Sequence, residues 1–428
     1  MGWLPQGGRE MAQPDPSLPT DRSRLIIAVA ALAAALKILI ALATFGTNDV
    51  VAFYEFAKAI EAHGLTWTYE HSILFNHPPL VGYLLRGLIW LTHQPALEQL
   101  GISFPFLLRL PGIAADFLVV LLLLFLGREY PQLRPPTWAL LLFAASPVSL
   151  MITGFHGNTD PILVLFLLLA SITAVRRHAL LCGVFLALSC QVKIVPLLLF
   201  PILFFYWVQQ RRARWFLLAF VASSLLCCLE PLLGAPVSFA RNVLGYGSFW
   251  GIWGVTYCLR MTGLHDFGRV SFLNLSPIQQ LVMTILKLVI VLAILVLGWR
   301  RRKLSPLALL SSIGYAWLIF FVFSPGIAAQ YLVWLAPFVL LLSPKLYAVL
   351  VAGSSIFLFA LYTLSSGGFP WYFAHVSTKL NLISAHWAVL PWLILLGGLI
   401  AILLKARQQH RQLRFLSLAP IEATNTLE

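Results

Sequence analysis

Long apolar runs recur along this chain from residue 25 to residue 404, and they constrain its fold more than any other feature. A helix that crosses a bilayer needs about 20 predominantly apolar residues, and many of these runs approach that length. Hydrophobic residues make up 60% of the 428 and charged residues only 10%, a composition that no soluble domain of this size could bury. The sequence therefore predicts an all-α, polytopic membrane protein with about twelve transmembrane helices, plus interfacial helices in its first outer loop. The predicted spans are residues 25–45, 104–126, 136–153, 161–175, 180–191, 195–208, 215–233, 281–299, 306–323, 329–342, 346–364 and 387–404.

The ends of the chain differ in composition from this apolar region. Residues 1–24 are polar and rich in proline, which predicts a disordered tail. That tail is too long and too acidic for the front of a secretory signal, so the run 25–45 is predicted to be an uncleaved first span. Residues 25–404 form the predicted transmembrane domain, with a first outer loop at 46–103, and residues 405–428 form a basic tail.

The apolar segment 79–91 decides the orientation of everything after it. If it crosses the membrane, the basic clusters that follow face outward; if it lies along the interface, they face the cytoplasm. The positive-inside rule favours the interfacial placement, and Arg86 in the middle of this short segment agrees with it. Both termini are therefore predicted to be cytoplasmic, in an integral protein of a bacterial inner membrane. The clusters are residues 176–177, 211–214, 300–303 and 405–414.

Two carboxylates, Asp49 and Asp160, stand at predicted helix ends on the outer face. A carboxylate at a partly dry membrane boundary is costly without a partner or a function, which makes both residues candidates for chemistry. The alternative is that they cap helices, Asn48 or Asp49 for a helix over 50–63 and Thr159 or Asp160 for the helix that begins at Pro161. The two roles are compatible, because a capping carboxylate can also act as a base.

The sequence lacks the motifs that are typical of several kinds of binding site. We find no P-loop, no Rossmann glycine pattern and no zinc spacing, which argues against a soluble nucleotide-sugar donor. The net charge of +14 reflects the basic clusters and does not indicate nucleic acid. His156 and Asp160 are four residues apart, as metal ligands can be, but Gly157 and Pro161 predict a turn there. No metal site and no cofactor is predicted, although a divalent metal stays open.

Six segments in a fixed order carry a resemblance to a known family. They are the Asn48-Asp49 dipeptide after the first span, N-H-P-P-L (76–80), R-L-P-G-I-A-A-D (109–116), S-P-V-S-L-M-I-T-G-F-H-G-N-T-D-P (146–161), K-I-V-P (193–196) and S-P-G-I-A-A-Q-Y-L-V-W-L-A-P (324–337). This set resembles the GT-C superfamily of integral-membrane glycosyltransferases, in particular polyprenyl- or dolichyl-phosphate-sugar transferases and the mannosyltransferases related to the GPI pathway. The resemblance covers roughly residues 24–210 well. Many members have two acidic residues where Asn48-Asp49 stands, which weakens metal binding here.

The resemblance implies a reaction and a site. The implied enzyme moves a sugar, mannose or another hexose or pentose, from a polyprenyl-phosphate donor to a glycan, lipid or protein acceptor, with inversion, on the non-cytoplasmic face among membrane lipids. Asp49 matches the catalytic base, with Asp160 as a second candidate. The leaving phosphate needs cations and donors, for which Arg109, Lys193 and His77 are candidates, although Arg109 and Lys193 could instead snorkel to headgroups. The predicted substrate contacts are Asn48, His156, Gln330 and Tyr331.

Two other classes of protein remain as alternatives. A secondary transporter or a flippase for lipid-linked saccharides would be expected to have internal repeats and charges midway through its spans. We find no convincing repeat, and the strong mid-span charges are Lys37, Asp116 and Lys287. A non-catalytic membrane scaffold is the third class, and it predicts no need for Asp49.

Overall fold

The computed structural model describes residues 20–245, 249–268, 270, 274–303, 305–376 and 378–418. Residues 1–19 of the predicted N-terminal tail and 419–428 of the basic tail lie outside the described residues. The described chain is nearly all helical, which confirms the predicted fold class at that level. The α-helices are α1 (Thr20–Ala43), α2 (Asn48–His63), α3 (Leu65–His71), α4 (Pro79–Thr92), α5 (Pro95–Gln99), α6 (Phe104–Glu129), α7 (Thr137–Ala144), α8 (Pro147–Ser149), α9 (Asp160–Val175), α10 (Ala179–Val192), α11 (Phe200–Gln209), α12 (Ala213–Gly234), α13 (Pro236–Leu244), α14 (Gly254–Met261), α15 (Pro277–Arg301), α16 (Pro306–Phe323), α17 (Ala336–Leu342), α18 (Pro344–Ser366) and α19 (Thr378–Leu418). Between them lie a π-helix (Leu150–His156), short 3-10 helices (Pro131–Leu133, Val195–Leu199, His265–Phe267 and Ala329–Val333) and the strands β1 (Gly46–Thr47) and β2 (Phe373–Ala374).

Eight helical segments of the described residues are long and apolar enough to cross a membrane, one of them formed by α7, α8 and the π-helix together, so the predicted number of twelve spans is not confirmed. The other four predicted spans correspond to helices of 10–17 residues, short of the about 20 that a perpendicular span needs. One of these, α9, packs against α6, α10 and α16 and is buried along most of its length. A helix that is apolar on all sides and enclosed by other helices does not have to match the bilayer. The eight long segments are Asp21–Ala43, Phe104–Glu129, Thr137–His156, Ala213–Gly234, Pro277–Arg301, Pro306–Phe323, Pro344–Ser366 and Ala385–Gln408.

The hairpin of α9 and α10 defines two ends of the bundle. α9 begins at Asp160 and α10 stops just before Lys193, so both residues lie at the same end, called the upper end below. The turn 176–178 lies at the opposite, lower end, and the hairpin of α11 and α12 brings residues 210–212 there as well. α10 and α12 approach closely at Gly183, where a Cβ would meet the backbone of α12.

Two upper loops that are far apart in the sequence are joined by backbone hydrogen bonds. β1 pairs with β2 in parallel, with Gly46 opposite Phe373 and Thr47 opposite Ala374. The amide of Val376 donates to Oδ1 of Asn48 at 2.9 Å. The end of α1 and the segment that leads into α19 are therefore held together at the upper end.

The π-helix Leu150–His156 changes the direction of the side chains that follow it. A π-helix has more residues per turn than an α-helix, so it rotates the next residues relative to an uninterrupted helix. It ends at Gly157, whose φ of 78° lies in the left-handed region that favours glycine. A Cβ at Gly157 would also clash with Val50. This local geometry turns His156 toward the N-terminus of α2.

An ion pair lies inside the bundle, between two of the long helices. Nζ of Lys37 in α1 is 2.6 Å from Oδ2 of Asp116 in α6 and donates to Oγ of Ser149 at 2.6 Å. Lys37 is only 4% exposed. Gly154 of the π-helix packs against the backbone of Lys37. The charges therefore link α1 and α6 to the segment that leads into the π-helix.

Candidate ligand-binding site

Two adjoining cavities at the upper end share Asp49, Phe249, Ala328 and Gln330 in their walls. The first, of about 310 Å³, is called the polar lobe because Lys193, His77 and two asparagines stand in its wall, beside apolar side chains that include Phe53, Phe56 and Leu74. The second, of about 250 Å³, is called the apolar lobe because hydrophobic side chains dominate it. The polar lobe contains Asn76, His77, Asn158, Lys193 and Tyr331, and the apolar lobe contains Ile252, Trp253, Ile327, Phe357, Leu361 and Val376.

Asp49 lies where the two lobes meet, in the first turn of α2. Its Oδ2 atom accepts hydrogen bonds from His156 Nε2 at 3.0 Å, Asn158 Nδ2 at 3.1 Å and Gln330 Nε2 at 3.1 Å. Among the described residues, Oδ1 of Asp49 accepts no hydrogen bond, and 33% of the side chain is exposed. Three donors therefore hold one oxygen of the carboxylate and leave the other for a ligand. The helix N-terminus also favours the negative charge.

The residue that caps α2 is Thr47, and neither Asn48 nor Asp49 has that role. Thr47 Oγ1 accepts a hydrogen bond from the amide of Asp49 at 3.3 Å and donates to the carbonyl of His156 at 3.0 Å. The prediction that Asn48 or Asp49 would cap the helix is wrong, because the helix begins two residues earlier than expected. The carboxylate is therefore not used by its own helix end.

The electrostatics of Asp49 keep it ionised at neutral pH. Burial raises the pKa of its carboxyl, but the charge and hydrogen bond of His156, together with the charge of Lys193, hold that pKa below its usual range. An ionised carboxylate only accepts hydrogen bonds, so Nε2 of His156 carries the proton of the bond to Asp49. Nδ1 of the same ring lies 2.9 Å from the hydroxyl of Tyr362, which fixes its orientation.

His77 enters the polar lobe from the segment between α3 and α4. Its backbone carbonyl accepts a hydrogen bond from the hydroxyl of Tyr69 at 2.7 Å, and its ring lies against that of Phe53. Burial and the nearby charge of Lys193 lower the pKa of His77 to about 3, against the opposing charge of Asp49. The imidazole is therefore neutral at pH 7 and can donate one hydrogen bond without adding positive charge.

The low pKa of His77 predicts an acid sensitivity of the fold. An unfolded histidine binds a proton below about pH 6.5, whereas folded His77 does so only near pH 3, so the unfolded state gains stability as the pH falls between these values. We expect the free energy of unfolding to decrease through this window, by at most about 1.4 kcal/mol per pH unit from this residue. His77→Gln should flatten that part of the pH profile of thermal unfolding in detergent. An unchanged profile in the variant would contradict the assignment, and the exposed His71 supplies His71→Gln as a control.

Lys193 lines the polar lobe, whereas Asp160 does not. Nζ of Lys193 is 3.0 Å from Oδ1 of Asp160, and it lies 4.5 Å from the ring centre of Tyr331. Asp160 is fully buried, and Nε1 of Trp334 donates to the same oxygen at 2.7 Å. The prediction that Asp160 could act as a base is not supported by this geometry, because its carboxylate is enclosed between Lys193 and Trp334. Asp160 instead positions the ammonium group of Lys193 at the cavity wall.

Arg109 does not line either lobe, so the geometry does not support the prediction that it binds phosphate. It is 0% exposed, and its Nη1 donates to the carbonyls of Ala41 at 3.2 Å and Thr44 at 3.1 Å and to Thr44 Oγ1 at 3.1 Å. Its Nη2 donates to the carbonyl of Phe45. The last carbonyls of a helix have no partner within that helix. Arg109 therefore supplies donors to the C-terminal end of α1, together with a positive charge that suits that end.

The four predicted substrate contacts all lie in the walls of the lobes, with different roles. Gln330 and His156 hold Asp49, and Tyr331 covers Lys193. Asn48 lines the apolar lobe, but its Oδ1 is engaged by the amide of Val376. The hypothesis of a metal held by His156 and Asp160 finds no support, because His156 binds Asp49 and Asp160 binds Lys193.

Three polar residues of the site were not predicted. Asn158 and Asn76 each stand inside a segment that was already singled out, beside His156 and His77. Their amide groups could have been added as donors on that ground. Tyr362 had no sequence signal, because it is one more aromatic residue in an apolar span. Its position opposite His156 depends entirely on how α18 packs.

The family model described as GPI transamidase subunit PIG-U matches residues 23–251, more than half of the 428 residues. No curated protein matches the chain. The family match does not confirm the resemblance to the GT-C superfamily. It also overturns the prediction of an inverting glycosyltransferase, because a transamidase exchanges amide bonds and does not transfer a sugar from a lipid phosphate.

Proposed function

We propose that this chain, which belongs to the PIG-U family, binds the polar head of a phosphate-bearing glycolipid as a membrane-embedded subunit of a larger complex. The observation that carries the proposal is the pair of lobes: a carboxylate and an ammonium group face one cavity, and an apolar cavity adjoins it at Asp49. A ligand with a polar head and a hydrocarbon tail uses both parts. The family description supports the complex, since PIG-U is a subunit of a GPI transamidase and GPI is itself a phosphate-bearing glycolipid.

The polar lobe offers complementary groups for a sugar phosphate. The ammonium of Lys193 can donate to a phosphate oxygen, and charge-assisted bonds of this kind are the stronger ones. His77 and the amides of Asn76 and Asn158 add neutral hydrogen-bonding groups. Oδ1 of Asp49 can accept from a sugar hydroxyl or from an amino group. The carboxylate would repel a bare anion, so the lobe favours a head that carries hydroxyl or amino donors beside its phosphate.

The apolar lobe suits the start of a hydrocarbon chain. Its walls come from the 249–253 segment, the region around Ile327, α18 and α19. Trp253 is held in place because its Nε1 donates to the carbonyl of Phe321 at 2.7 Å. Each buried CH₂ group contributes about 0.8 kcal/mol to binding. A short length of hydrocarbon chain in this lobe therefore increases the affinity of the ligand, but it does not discriminate between different headgroups.

The experiment removes the cation of the polar lobe without leaving a buried charge. Lys193→Gln combined with Asp160→Asn replaces the ion pair by two amides, which can still bond to each other. We expect this double variant to bind glucosaminyl phosphatidylinositol about 10- to 150-fold more weakly in nanodiscs, the range for one charge-assisted hydrogen bond. Affinity for a glucosyl diacylglycerol, which has no phosphate, should stay unchanged.

Two further measurements make the test decisive. The double variant should keep its fold, because both charges of the enclosed pair are removed and neither is left unpaired. Thermal unfolding of the variant checks this. Asp49→Asn keeps the shape of the side chain and should weaken binding of both glycolipids. Its one acceptor oxygen is needed by His156, Asn158 and Gln330, so an NH₂ donor then faces the ligand where Oδ1 accepted before. Equal binding of the phosphorylated and phosphate-free lipids by the wild-type protein would overturn the proposal.

Orientation and the transporter alternative remain predictions. The positive-inside rule predicts that the upper end faces away from the cytoplasm, because the clusters at 176–177 and 211–214 lie at the lower end. A flippase or secondary transporter would have to move the bound head through the bundle. Movement of a fluorescent glucosaminyl phosphatidylinositol between the leaflets of proteoliposomes, dependent on Lys193, would favour that alternative over a binding subunit.

A further inference from the structure

A third cavity, of about 450 Å³, opens at the lower end of the bundle, far from the two lobes. It lies between the turn that joins α9 to α10 and the turn that joins α11 to α12. α9 has 16 residues, which places this cavity about 24 Å from the upper end at 1.5 Å per residue. The cavity is lined by Arg177, His178, Leu180, Leu181, Arg212 and Trp215.

Backbone geometry fixes the two arginines of this cavity beside each other. Arg177 has a φ of 62°, in the left-handed region, so the turn after α9 is sharp. Nη1 of Arg212 donates to the carbonyl of Arg177 at 2.8 Å, which joins the two turns. A guanidinium has five donors in a planar fork, and within the described part of the chain the other N–H groups of Arg177 and Arg212 have no hydrogen-bond partner. Two forks are therefore presented from neighbouring turns.

No carboxylate of the described residues neutralises the positive charge of Arg177 and Arg212 at this cavity. The nearby carboxylate of Glu129 is engaged by Arg176, whose Nη2 lies 3.3 Å from Oε1. Within the described residues, neither Arg177 nor Arg212 forms an ion pair with a carboxylate. Guanidinium forks match the oxygens of a phosphate in geometry and charge. The cavity is therefore complementary to an anion that carries a phosphate group.

The other wall of the cavity is apolar and exposed. Leu180, Leu181 and Trp215 are 50%, 47% and 44% exposed, although they lie directly beside the arginines. Tryptophan is enriched at the boundary between headgroups and hydrocarbon, where one part of its ring is apolar and the N–H is polar. Apolar side chains next to a cationic pair fit a molecule with a charged head and acyl chains.

We propose that this cavity binds the headgroup of an anionic phospholipid from the leaflet at the lower end. The phosphodiester lies between Arg177 and Arg212, and the acyl chains run along Leu180, Leu181 and Trp215. Basic pockets between transmembrane helices are known to hold anionic lipid heads, and each basic residue near such a surface contributes about 1 kcal/mol. The bound lipid connects the two helical hairpins at their lower end. This site is independent of the glycolipid proposed for the upper end.

The test is a titration of the purified protein with phosphatidylglycerol and phosphatidylcholine, followed by native mass spectrometry. We expect tighter binding of phosphatidylglycerol, and a loss of about fivefold for each arginine removed, so about 25-fold for Arg177→Gln with Arg212→Gln. Arg211→Gln is the matched control, because Arg211 has a similar φ of 56° and is one residue away but does not line the cavity. It should keep most of the affinity.

Three results would overturn the proposal: equal affinity for the two lipids, an equal loss in Arg211→Gln, or binding of glycerol phosphate as strong as that of phosphatidylglycerol. The last result would assign the site to a free phosphate instead of a lipid. Arg177→Lys with Arg212→Lys keeps the charges and should retain much of the preference for phosphatidylglycerol. This conservative variant also separates loss of charge from loss of folding, which thermal unfolding of each protein measures directly.

Discussion

Lys37→Met should lower the free energy of unfolding by about 3–5 kcal/mol, the largest effect we expect from a single substitution here. Lys37 is 4% exposed and pairs with Asp116 inside the bundle. Removing the ammonium leaves the carboxylate of Asp116 with Ser149 as its remaining partner among the described hydrogen bonds. A buried charge without a counter-charge is costly in any apolar medium and more so within a membrane. Thermal or denaturant unfolding of the protein in detergent measures the loss.

A second substitution separates the charge from the packing. Lys37→Met combined with Asp116→Leu removes both charges and should recover most of the stability, because apolar replacement of a whole buried pair is often neutral or stabilising. Lys287→Met is the matched control, since Lys287 also lies within a long helix but on its exposed face. It should change the stability little. A double variant that is no more stable than Lys37→Met would contradict the ion-pair account.

Arg109→Met should destabilise the protein by about 2–4 kcal/mol, since each buried acceptor left without a donor costs about 1–3 kcal/mol. The acceptors concerned are the carbonyls of Ala41, Thr44 and Phe45 at the end of α1. Arg109→Lys should recover only part of this, because a single ammonium cannot reproduce the planar fork. Thermal unfolding compares the three proteins.

The same variants decide between the two roles considered for Arg109. If it only holds the end of α1, glycolipid affinity measured well below the unfolding temperature should change in Arg109→Met far less than in Lys193→Gln with Asp160→Asn. Arg86→Met on the exposed side of α4 provides the control for loss of a positive charge. If Arg109→Met were as stable as the wild-type protein and bound the phosphorylated lipid more weakly while its affinity for the phosphate-free lipid was unchanged, Arg109 would be a phosphate ligand after all.

The architecture was largely predictable because hydrophobic burial depends on composition and spacing. The helices of the bundle correspond to apolar runs, and α9 begins at Asp160, one residue before the predicted start at Pro161. The number of spans was not predictable in the same way. The length of an apolar run does not distinguish a helix such as α9, which is enclosed by other helices, from a helix that crosses the bilayer in contact with lipid.

The site was predictable in its residue types and not in their roles. Arg109 and Lys193 both flank apolar runs, so the same role was predicted for both residues. Their roles differ because Arg109 lies against the end of α1, whereas Lys193 lies between Asp160 and the polar lobe. The orientation of His156 depends on the π-helix, which no propensity rule predicts. The bond between Asp49 and Gln330 joins residues 281 positions apart, a distance that local patterns cannot bridge.

The distance in sequence between Asp49 and Gln330 also sets an order of events during biosynthesis. The ribosome adds about 5–20 residues per second, so roughly 14–56 s pass between the synthesis of these two residues. During that time Asp49 is already attached to an inserted α1, while Gln330, Tyr362 and β2 have yet to be made. The two lobes can close only near the end of translation, when Phe373 reaches Gly46. Until then Asp49 and His156 lack partners that come from the last third of the chain, namely Gln330 and Tyr362.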